Sequence, residues 1–138
     1  MLLPEIDEKA TIRGCKRKLR EYPRWREIAH DSAEQKITQE FTFMPRGGNG
    51  VSRPVENIAV RRVDAMNELE AIEQAVSGLY RPDYRRILIE KYLAYPPKPN
   101  WQIAQAIGFE RTAFQGLLNN AILAFAELYR DGKLVVER

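Results

Sequence analysis

Arg111, Thr112, Gln115, Gly116, Asn119 and Asn120 lie along one side of a run whose apolar residues recur every three or four positions. These are side-chain types that read nucleic acid. Asn and Gln amides pair two-fold with an adenine edge, Thr meets a base edge or a thymine methyl, Arg111 stands at the entrance of the run, and Gly116 lets the backbone come close. They are the candidate base-facing residues. Catalytic candidates are thinner. His30 is the only histidine, and no Ser or Cys beside it completes a nucleophilic triad. The GGNG at 47–50 lacks the strand, helix and lysine of a phosphate-binding loop. Cys15 is the only cysteine, so no intramolecular disulfide forms, and no Cys/His group has the spacing of a metal site. Glu68, Glu70 and Glu73 follow helical spacing and read as surface acids. The sequence therefore offers no catalytic residue, no metal site and no cofactor.

The base-facing set needs a helix to carry it and a second helix to set its angle. Ile103, Ala104 and Ile107 form the inner face of a short helix, Asn100 is placed to cap it, and Gly108 supplies a left-handed turn anchored by Phe109. A second helix starts at about Arg111, with Phe114, Leu117, Leu118, Ala121 and Phe125 inside a narrow arc at 100° per residue. This is the pattern of a helix-turn-helix over about 100–126, whose second helix enters the major groove. Leu123 falls on the line of Thr112, Gly116 and Asn119, where it can pack on the N-terminal part, the LVV tail at 134–136 or another subunit.

Upstream, Ile58, Val63, Met66, Leu69, Ile72, Val76 and Leu79 predict a long amphipathic helix, with Pro54 in its first turn and Gly78 as its C-terminal cap. Pro82 opens another, with Tyr84, Ile87, Leu88, Tyr92 and Leu93 inward, and PPKP at 96–99 ends it. Near the start, Ile12, Cys15, Leu19 and Tyr22 form one helical stripe, and a short helix carries Trp25 and Ile28; Tyr22 and Trp25 read as core residues. Ile37, Phe41 and Phe43 alternate with polar residues, as in a strand or hairpin with one buried face. The Gly/Pro-rich PRGGNGVSRP reads as a connector. The expected organisation is a basic helical segment with a short strand at 1–46, a flexible connector at 47–53, and a helical domain at 54–138. The expected fold is mainly α: a C-terminal bundle plus an N-terminal helix and a short extended segment.

Charge is distributed unevenly along the chain. The net charge of the 138 residues is only +3, yet positions 13–26 hold seven bases against the single acid Glu21. From Lys98 to Arg138 there are five bases and four acids. Phosphate contacts provide much of the affinity for DNA, so a nearly neutral reading helix needs cations from elsewhere. Lys16, Arg17 and Arg20, or a second subunit, would supply them; a solvated helix face is the alternative reading of these bases. Acids at Glu5, Asp7 and Glu8 oppose a signal peptide, and no run of eighteen apolar residues occurs, so a soluble chain in a reducing cytoplasm, without membrane contact, is expected.

The stretch IAQAIGFERTAF, preceded by ILIEKYL and followed by a long helix, resembles the fourth region of bacterial sigma factors. Sigma-like recognition helices commonly carry several Arg or Lys, whereas Ala113 and Gly116 here are small and uncharged. LLPEIDEKATIRGCKRKLREYPRWREIA, SRPVENIAVRRVDAMNELEAIE and LIEKYL together are similar to the ArpU family of phage and prophage transcriptional regulators, with RinA-type late activators as more distant relatives. That resemblance implies a small regulator in a bacterial host, acting at promoters through a sigma-like helix-turn-helix, without cofactor or chemistry. Its partner would be double-stranded DNA, with RNA polymerase and a second copy in a homodimer as further partners. Two other readings stay open: an adaptor that binds RNA polymerase or another protein with little DNA contact, and a small DNA-packaging component.

Overall fold

The computed structural model describes residues 3–29 and 52–138, the side chains of 52–59 excepted. It divides into two compact units. One joins Met1–Tyr22 to Ala71–Arg138; the other is Pro23–Glu70.

In the first unit, Asp7 caps α1 (Glu8–Arg20) by accepting the Ala10 N–H at 3.1 Å. Glu8 in its first turn and Arg17, Lys18 and Arg20 in its last suit the helix dipole. Thr11, Cys15 and Leu19 are buried on one stripe, continued by Tyr22. Thr11 takes the place expected for Ile12, which is only half-buried. A fully buried hydroxyl needs a partner, and the Thr11 Oγ1 accepts the Val136 N–H at 3.0 Å. The Tyr22 hydroxyl donates to Glu73 at 2.5 Å, so that acid has a structural partner besides water.

The helix α4 (Pro82–Leu88) begins at its proline. It passes into a π-helical turn, Ile89–Leu93, where the Ala94 N–H donates to the Ile89 carbonyl at 2.7 Å. Ile87, Leu88 and Tyr92 are buried, and Tyr84 and Leu93 half-buried. Then come α5 (Asn100–Ile107) and α6 (Arg111–Leu128). Because α1, α4 and α5 all pack on α6, its buried face is broader than the expected arc. Ile122 and Ala126 join Phe114, Leu117, Leu118, Ala121 and Phe125 in the core, and Leu123 is half-buried. After α6, Arg130, Asp131 and Gly132 all take left-handed backbone, at φ 44°, 58° and 85°. They turn the chain toward the N-terminal residues. There Ile6 and Glu137 form an antiparallel bridge, the Asp7 N–H donates to Val136 at 2.7 Å, and the Arg138 N–H donates to Glu5 at 3.1 Å.

Three local expectations are corrected. Asn100 is the first residue of α5 and does not cap it; its Oδ1 accepts from Lys91 instead. Gly78 is not left-handed: a Cβ there would lie 3.2 Å from the Gln74 carbonyl and 3.4 Å from a Leu128 methyl, so close approach is what selects glycine. Phe109 is 40 % exposed and so is not a buried anchor.

α2 is helical over residues 22–29, all but its first residue in the second unit, with Trp25 and Ile28 half-buried. α3 (Ser52–Ser77) starts early enough to include Ser52 and Arg53 of the expected connector. Within this unit Ala65 is fully buried, while Val63 and Met66, expected to point inward, are exposed. The last turns of α3 belong to the first unit and give its core Ile72, Ala75 and Val76. The predicted strand, the rest of the connector and His30 lie outside the described residues. Among the described residues, no helix is long and apolar enough to cross a membrane.

Candidate nucleic-acid interface

The angle between α5 and α6 is set by the turn at 108–110. Gly108 sits at φ 82° and ψ 29°, a region that costs an L-residue about 1–2 kcal/mol. Its N–H donates to Gln105 at 3.3 Å, and the Phe109 N–H reaches the Ala104 carbonyl at 2.9 Å. The Phe114 N–H then closes the first turn of α6 on the Glu110 carbonyl at 2.8 Å. Ala104 is buried where the two helices meet, as a small residue must be for two backbones to come close.

On α6 the structure brings the candidate base-facing residues together on the side left uncovered. Arg111, Thr112, Gln115, Gly116 and Asn120 are exposed, and Asn119 is half-buried. The Gln115 amide donates to the Asn119 Oδ1 at 3.1 Å, which holds the two side chains one helical turn apart in a fixed relation. Gly116 has ordinary helical backbone, and a Cβ there would meet nothing within 4 Å. The fold does not require a glycine at this position.

The phosphate candidates divide. Lys16 and Arg20 stand one turn apart on α1, which packs against the π turn that carries Lys91. Lys91 is half-buried and donates to the Asn100 Oδ1 at 2.6 Å. Burial holds its ammonium below the usual lysine range, and the nearby charges of Lys16 and Arg20 push it the same way. Arg17 is exposed, and nothing in the structure brings it to this group. Beside Lys91 opens a depression of about 400 Å³, lined by Lys91, Asn100, Trp101, Arg111, Phe114 and Gln115. Two base-facing candidates and a cation thus share one opening. Lys98, by contrast, is neutralised by Glu90 at 3.0 Å. The Cys15 thiol is pushed up to about 12 by burial, which makes it an inert core residue.

Lys91 is not marked by the sequence because it sits within the apolar period of ILIEKYL, which fixes the inward face and says nothing of its cations. The only available signal was a base placed next to the inward-facing Tyr92.

A curated protein of Streptococcus phage O1205, which bears the provisional name autolysin regulatory protein ArpU, is 88% identical to this chain over 138 residues, the whole of both. The chain belongs to the ArpU family. An ArpU relative in Enterococcus hirae, under the same provisional name, is 25% identical over 134 residues, 97% of this chain and 96% of its own. No family model matches the chain, and no solved structure matches it. The likeness to the ArpU proteins runs through α1 and through the α5–α6 pair alike, so both the basic helix and the uncovered face of α6 belong to the shared chain.

Proposed function

We propose that this chain is a phage-encoded transcriptional regulator that binds double-stranded DNA at promoters, with α5 and α6 as a sigma region 4-like helix-turn-helix. The observation that carries the reading is the uncovered face of α6: amides, a hydroxyl, an arginine and an unforced glycine on one side, set by a left-handed Gly108 at the head of the helix. Such a face reads bases through hydrogen bonds without needing net charge. The names of the ArpU relatives support a regulatory role. The protein acts by binding and needs no cofactor; it works in the bacterial cytoplasm, and RNA polymerase or a second copy can share the promoter.

Sequencing of bound fragments from the phage genome supplies the site, and titration of that site supplies the test. Gln115→Ala or Asn119→Ala is expected to weaken specific binding by about 1–3 kcal/mol and to relax sequence preference, leaving the salt slope nearly unchanged. No enrichment of any fragment over bulk DNA would defeat the proposal. One observation favours the adaptor reading: Trp101 in the first turn of α5 and Phe109 just after it are 52 % and 40 % exposed, and exposed aromatics suit protein contact. Co-elution with bacterial RNA polymerase in the absence of DNA would select that reading. A DNA-packaging role would instead require a ring-sized oligomer.

A further inference from the structure

At one corner of the first unit the structure collects donors and cations with too few acceptors. Lys16 and Arg20 of α1 come beside Lys91 of the π turn, and among the described residues none of the three has a carboxylate partner. The one acceptor recorded for Lys91 is the Asn100 Oδ1. The depression next to it is lined by Lys91, Arg111, Asn100 and Gln115 as its polar residues, without an acid. The Tyr92 side chain is buried, and among the described residues its hydroxyl has no hydrogen-bond partner; burial pushes its ionisation up, and the charge of nearby Arg20 works against that. Buried polar groups are ordinarily paired, and exceptions call for an explanation. Like charges gathered without counter-ions favour an anion rich in acceptor atoms.

We propose that Lys91, which lines the depression at the head of α6, and Lys16 and Arg20 of the helix packed against its turn form one composite anion site, and that its occupant is a single backbone phosphate of duplex DNA flanking the bases met by Gln115 and Asn119. This rests on the DNA-binding reading above and sharpens it. Among the phosphate candidates read from sequence, Arg17 drops out and Lys91 enters. The three cations serve one phosphate, and α1 adds charge to a reading helix that has little.

The test is a salt titration of duplex binding by the full chain, with circular dichroism and urea unfolding as controls for the fold. Counter-ion release counts neutralised phosphates, each contributing about 0.9 to the log–log slope on B-form DNA. Lys91→Met is expected to weaken specific and non-specific duplexes by the same factor, on the order of tenfold for a lost charged contact, while Lys91→Arg retains binding. The triple variant Lys16→Gln, Arg20→Gln, Lys91→Met is expected to show a slope shallower by about 0.9, the value for one phosphate. A triple-variant slope that is unchanged, or shallower by about 2.7 as three separate contacts require, overturns the composite site. If the unaltered chain binds duplex with the expected salt dependence in that case, only the composite site fails. If the unaltered chain binds no duplex at all, the DNA-binding reading fails and the composite site with it.

Discussion

A glycine inside a helix costs roughly 0.5–1 kcal/mol relative to alanine, and at Gly116 nothing in the fold requires that cost. The backbone is ordinary helix and the space beside it is open. Gly116→Ala is therefore expected to raise the free energy of unfolding by about 0.5–1 kcal/mol in urea. If the α6 backbone approaches DNA here, the same change lowers duplex affinity. A variant that is more stable and binds as well as the parent would remove Gly116 from the interface. The exposed face of α6 was legible in the sequence because a binary pattern assigns both faces of a helix at once: fixing Phe114, Leu117, Leu118 and Ala121 inside puts Thr112, Gln115 and Gly116 outside. Lys91 was not legible, since its neighbours Lys16 and Arg20 come from a different helix far away in sequence. Only packing of α1 on the π turn reveals their shared charge.

Helical elements were readable from their periods, and the contacts that close the termini were not. The residues just before α1 and the chain's last residues are joined mainly by backbone hydrogen bonds, Asp7 to Val136 and Arg138 to Glu5, which any side chains would permit. Besides the exposed Arg138–Glu5 ion pair at 4.0 Å, the side chain that records the join is Thr11, whose burial displaced the expected Ile12 from the stripe. Thr11→Val keeps the shape and removes the acceptor for the Val136 N–H, now 3.0 Å away. Leaving that donor without a partner is expected to destabilise the chain by about 1–3 kcal/mol, read as a lower urea midpoint with an unchanged slope. An unchanged midpoint would mean that water replaces the hydroxyl without loss. Gly78 was also misread. A glycine at a helix end suggests a left-handed cap, but Gly78 is not left-handed, and the tight neighbour of a Cβ there is the Gln74 carbonyl at 3.2 Å.

In the whole molecule, the basic N-terminal helix is a core element as well as a reservoir of charge. The compact unit is discontinuous in sequence, Met1–Tyr22 with Ala71–Arg138, and α1 covers a face of α6 with fully buried Cys15 and Leu19. Fully burying a leucine side chain is worth roughly 1.5–3 kcal/mol, a large share of the stability typical of a small domain. The packing of α1 on α6 and the phosphate role proposed for Lys16 and Arg20 use different residues of the same helix. Substitutions of the cations should then spare the fold, whereas removal of the helix should not. A fragment of residues 71–138 is expected to unfold in urea without a cooperative transition, and a peptide of residues 1–22 added in excess is expected to restore one. Cooperative unfolding of the fragment alone at the midpoint of the full chain would contradict this. The helix would then be an appendage whose only contribution is charge, and the phosphate contacts proposed for it would not depend on the core that α1 helps to build.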